Sequence, residues 1–106
     1  VNQLLVSTLL GAGLVWAGIA HAADSPEDLM KKDGCVACHA VDKKVVGPAF
    51  KDVAAKYKAD KQAEAKLIDK VKKGGSGVWG PVPMPPNSPQ VKDEDIKAIV
   101  HWVLSM

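Results

Sequence analysis

The chain has 106 residues, with 14 lysines and no arginine set against 12 Asp and Glu, 3 His and 2 Cys, for a formal charge of +2. That length supports one small domain and excludes a multidomain enzyme. The near balance of charge, without basic residues interleaved with aromatics, speaks against a nucleic-acid partner.

In chain order the first object is residues 1–22. The stretch from Leu4 to Ala20 is almost wholly apolar, the first charge is Asp24, and Ala20-His21-Ala22 has the small-x-small form that signal peptidase accepts. The expectation is a signal peptide over residues 1–22, cleaved after Ala22, followed by one domain over residues 23–106. The alternative is an uncleaved membrane anchor, for which the run is slightly short. Either way the domain is exported.

Residues 23–106 contain only four aromatics, Phe50, Tyr57, Trp79 and Trp102. A core that thin usually needs a disulfide framework, a metal or another staple. A Cys35–Cys38 disulfide would close so short a loop that chain entropy credits it with only about 2 kcal/mol. Something else must fill the interior.

Ser25-Pro26-Glu27-Asp28 predicts a helix start, with a capping hydroxyl, proline at the first helical position and acidic groups at the positive dipole end. Gly34 closes that helix and delivers the chain to Cys35. Residues 40–48 read as a loop. Phe50, Val53, Ala54 and Tyr57 recur at three- and four-residue intervals, the mark of one buried helical face. A third helix is expected from about Gln62 to Lys73, with Leu67, Ile68 and Val71 inward. Gly74-Gly75-Ser76-Gly77 terminates it. From Trp79 to Gln90, five prolines in nine positions disfavour helix and sheet, so this stretch reads as an extended loop that positions Met84. The last helix, from about Asp93 to Ser105, turns Ile96, Ile99, Val100, Val103 and Leu104 to one face. No strand pattern is evident.

Cys35-Val36-Ala37-Cys38-His39 is Cys-x-x-Cys-His, the attachment signature of c-type haem. Two thiols add to the porphyrin vinyl groups, and the next residue's imidazole reaches the iron. A thioredoxin-like dithiol would need a strand before the motif, where a helix is expected. A zinc site would have only Cys35, Cys38, His39 and the distant His101. Candidates for a second axial ligand are Met30, Met84, Met106 and His101. Met84, between Pro83 and Pro85, is the best placed of them.

Gly34 to Ala40, Val46-Gly47-Pro48-Ala49, Lys51 to Lys56, Gly77 to Pro81, Pro83 to Asn87 and Trp102 to Ser105 together resemble the small bacterial class I cytochromes c of the c-551 (c-552) type. The resemblance covers essentially all of residues 23–106. It implies an all-α cytochrome c fold of four to five short helices wrapped around one covalently attached haem c. It implies thioethers at Cys35 and Cys38, His39 and Met84 as metal ligands, and a Pro48 carbonyl that accepts the other imidazole N–H. It further implies that Asn87 supports the Met84 sulfur and that Trp79 donates to a haem propionate. The stretch from Ser88 to Lys92 is longer than the family pattern.

With both axial positions filled, the expected function is electron transport rather than catalysis. The chain should be a monomeric periplasmic carrier that docks transiently with redox proteins and meets the membrane only through respiratory complexes. The resemblance suggests a cytochrome bc complex as donor and a nitrite reductase or terminal oxidase as acceptor. Lys31, Lys32, Lys43 and Lys44, or an apolar rim of Val36, Val46 and Val82, are the expected docking groups. A haem peroxidase-like or gas-binding protein is the enzyme-class alternative, which requires Met84 to be absent from the iron or readily displaced.

Overall fold

The computed structural model describes residues 24–106, with only Gly11 and Gly13 upstream, so the expected leader and its cleavage point lie outside the described residues. Helix α1 (Pro26–Lys32) begins where Ser25 Oγ accepts the Asp28 N–H at 3.3 Å, with Pro26 in its first turn. It stops at Gly34, whose left-handed φ of 80° turns the chain into a single 3-10 turn over Cys35–Ala37. Helix α2 (Phe50–Tyr57) has no capping side chain. Its first amides are satisfied instead by the loop after the motif, Phe50 N–H donating to Ala40 O at 2.9 Å and Lys51 N–H to Val41 O at 3.0 Å. That exchange fastens the motif loop to α2.

Helix α3 (Ala63–Lys73) ends in Lys70, Lys72 and Lys73, cations suited to its negative end. Helix α4 (Asp93–Leu104) opens with Asp93, Glu94 and Asp95 and packs against α1, α2 and α3. Two apolar clusters result. Leu29, Met30, Phe50, Val53, Ile99 and Val103 form one, and Val91, Ile96 and Val100 form the other, with Leu67 touching both. Among the described residues no helix is long and apolar enough to cross a membrane.

The expectation of no strand needs correction. Strands β1 (Gly75–Gly77) and β2 (Gly80–Met84) form an antiparallel hairpin, paired Gly75 with Met84 and Gly77 with Gly80. Between those pairs β2 carries two more residues than β1, and Pro81 and Pro83 lie in that irregular stretch, so neither removes a paired N–H. Gly-Ser-Gly offers almost no side chain from which alternation can be read, which hides β1 in the sequence.

Asp33 caps the C-terminal end of α1, where the helix dipole is negative, and its Oδ2 is buried without a hydrogen-bond partner among the described residues. Burial, and then the nearby Asp95 carboxylate, raise its pKa above the ordinary value. The folded chain therefore holds this proton more tightly than the unfolded chain. Its contribution to stability is present below the ordinary carboxylate range and is lost as pH rises through the raised value. Asp33→Asn should therefore melt a few degrees higher than wild type at pH 7, consistent with about 0.3–1 kcal/mol for a misplaced charge at a helix end. The gap should close below about pH 4, and a pH-independent difference in calorimetry would refute the assignment.

Candidate haem site

The motif cysteines sit on the 3-10 turn and its end, half-buried and unbridged. Burial raises the Cys35 thiol pKa, and Asp33 adds to that. Thiol oxidoreductases instead depress the pKa of an attacking cysteine at a helix start after a strand. Cys35 is shifted in the opposite direction, and a helix rather than a strand precedes it.

His39 is fixed from three directions. Its Nδ1 lies 2.8 Å from the Pro48 carbonyl, which can only accept, so Nδ1 carries a proton and Nε2 is the nitrogen whose lone pair the neutral ring offers to a metal. Its ring stacks on Phe50, with centroids 5.0 Å apart and planes 19° apart, and Phe50 meets Trp102 edge-on at 6.3 Å. The loop folds back because Val46 and Gly47 both donate to Cys38 O, at 3.2 and 2.7 Å. This passes the Gly47 backbone under the imidazole, where an added Cβ would stand 2.5 Å from His39 Cε1. Sequence reading did not single out Gly47 for this role; its signal is glycine one position before the proline that orients the ring.

Cys35, Cys38 and His39 line a partly open cleft of about 1090 Å³, a volume that includes the solvent-filled mouth. Its walls are mostly apolar, from Val53, Leu67, Val71 and Ile99 among others, and Met84 at the end of β2 lines it too. The structure separates the other ligand candidates from the cleft: Met30 is 2 % exposed in the core, Met106 is at the exposed C-terminus, and His101 is on the outer face of α4. Two thiols, an imidazole with one free nitrogen and a thioether in one apolar cleft are the donor set of a covalently held iron porphyrin.

Trp79 stands at the edge of the cleft, and Lys56 Nζ lies 5.6 Å from its ring centroid, a cation–π contact between α2 and the hairpin turn. Asn87 ties the ligand loop to the end of α3. Its Nδ2 donates to Val71 O at 3.1 Å and Pro85 O at 3.3 Å.

The cytochrome c family profile matches residues 26–106. This chain belongs to the cytochrome c family. Cytochrome c-551 of Pseudomonas aeruginosa is 53% identical over 98 residues, covering 92% of this chain and 91% of that protein. The crystal structure of Nitrosomonas europaea cytochrome c552 superposes with a TM-score of 0.72 at 54% identity, covering 74% of this chain and 96% of that one. The class 1 cytochrome MtoD of Sideroxydans lithotrophicus is more distant, at 34% identity and a TM-score of 0.64 over 76% of this chain and 90% of that one. This cytochrome is thus a class I, monohaem electron carrier of the c-551 type rather than an enzyme, and its cofactor is haem c attached through Cys35 and Cys38. Its fold is the mainly helical cytochrome c fold, with four helices and one small hairpin around the cleft among the described residues.

Proposed function

We propose that this cytochrome is a periplasmic single-electron shuttle whose haem iron is held axially by His39 and Met84. One observation carries the reading: an imidazole with Nδ1 tied to Pro48 O at 2.8 Å and a thioether ending a proline-rich strand line the same apolar cleft. When bound, haem c supplies a one-electron couple. His39 would coordinate through Nε2, oriented and made more basic by the Pro48 bond. The soft Met84 sulfur favours ferrous iron, and the apolar walls disfavour the extra ferric charge, so a positive potential follows. Held by both His39 and Met84, the iron would have no position open to a substrate. Trp79 would donate its indole N–H to a propionate at the cleft edge.

Docking is proposed to be transient and monomeric, with a donor such as a cytochrome bc complex and an acceptor such as a nitrite reductase or terminal oxidase. The exposed valines Val36, Val46 and Val82 supply a small apolar contact of the kind redox partners use. Lys31, Lys43 and Lys44 have no carboxylate partner among the described residues, whereas Lys32 is shared between Asp24 and Asp95 at 3.9 and 3.8 Å. The first three are therefore the better candidates to meet an acidic partner.

Expression with haem-attachment machinery tests the reading. The periplasmic product should begin at Ala23 and exceed the mass of residues 23–106 by one haem. Colourless material with the bare polypeptide mass would overturn the function, and haem-bearing protein with a different N-terminus would overturn only the cleavage position.

A further inference from the structure

Met84 is held from both sides by the end of α3. Before it, β1 pairs Gly75 with Met84. After it, Asn87 N–H donates to Val71 O at 3.1 Å and Ser88 N–H to Lys72 O at 3.2 Å, so the ligand loop satisfies carbonyls that α3 would otherwise leave open. Gly74 lies between these two fastenings. Its φ of 71° and ψ of −160° fall in a region open essentially to glycine alone, and its N–H closes on Lys70 O at 2.7 Å. A Cβ at this position would stand 2.8 Å from Pro86 N and 2.9 Å from Pro85 C, and closer still to the Met84 carbonyl oxygen. All three obstacles are backbone atoms, which cannot rotate aside as a side chain can.

We infer that Gly74 is a positioning residue for the axial thioether: its missing side chain lets the end of α3 seat directly against the Met84–Pro86 backbone, and that seating fixes how far the sulfur reaches. The inference rests on the Met84 ligation proposed above. Any larger residue must push the ligand loop off α3, because the paired Gly75 and the bonded Asn87 leave no slack on either side. The sulfur then lies farther from the imidazole side of the cleft, and competing ligands or hydroxide displace it more easily.

The test compares Gly74→Ala with Gly34→Ala in the ferric holoprotein. Gly34 also has a positive φ, 80°, but with ψ of 8° it lies in the left-handed helical region and a Cβ there meets nothing within 4 Å, so Gly34→Ala carries a milder backbone strain and no contact, and the Gly74→Ala/Pro86→Gly variant separates the contact from the strain. The readout is the pH at which the sulfur-to-iron charge-transfer band is lost, with far-UV circular dichroism following the fold in parallel. In Gly74→Ala the midpoint should fall by about one pH unit, a tenfold easier displacement, while Gly34→Ala keeps the wild-type midpoint. Equal shifts in the two variants, or none in Gly74→Ala, overturn the inference. If Gly74→Ala yields no holoprotein, Gly74→Ala/Pro86→Gly decides: loosening the loop should restore it, and failure to restore it overturns the inference. A wild type that lacks the band at every pH refutes the Met84 ligation itself, a separate and recognisable result.

Discussion

Met84→Ala should remove the ferric sulfur-to-iron charge-transfer band and lower the reduction potential by on the order of 0.2–0.3 V, a sizeable part of the roughly 0.8 V over which haem surroundings tune iron. The direction follows from the chemistry of the donor. A thioether stabilises the ferrous ion, and alanine offers neither sulfur nor any other lone pair, so the ferric state gains relative to the ferrous one. The same variant should bind added imidazole or azide at the freed position. Met30→Leu is the matched control, since Met30 is 2 % exposed within the Leu29–Phe50–Val103 cluster and Leu fills nearly the same volume. An unchanged spectrum and potential in Met84→Ala would overturn the assignment of Met84 as the ligand.

The Cys35→Ala/Cys38→Ala variant should have the larger effect on the fold itself. No haem should survive denaturing electrophoresis, and haem-free material should show no cooperative thermal transition by circular dichroism. The two apolar clusters meet chiefly through Leu67, and the cleft runs along the faces of Val53, Leu67, Val71 and Ile99. A chain this short, with four aromatics after residue 22, gains little net stability from such a divided core. The porphyrin is the missing central layer of packing, and two covalent bonds keep it there. A sharp melting transition in the haem-free variant would contradict that account.

All four helices were legible in the sequence. The spacing of Phe50, Val53, Ala54 and Tyr57, and of Ile96, Ile99, Val100 and Val103, follows the helical period, and Ser25-Pro26 and Gly34 mark the two ends of α1. The cysteines and His39 were legible because their chemistry is local, confined to five adjacent residues. What stayed hidden depends on contacts between distant segments. The hairpin was missed because Gly75-Ser76-Gly77 has no side-chain alternation and because prolines dominate its partner. The Asn87 bonds were missed because they depend on where α3 ends. Gly47 and Gly74 act through absent side chains, and only the approach of His39 or of the Met84 backbone reveals what each makes room for.

The prolines of β2 also bear on how the molecule behaves in a crowd. A two-stranded hairpin leaves a free border that could template growth into intermolecular sheet. Pro81 and Pro83 have no amide hydrogen to offer an incoming strand, and β1 opposite them is only three residues long. The segment that carries Met84 is therefore a poor seed for polymerisation.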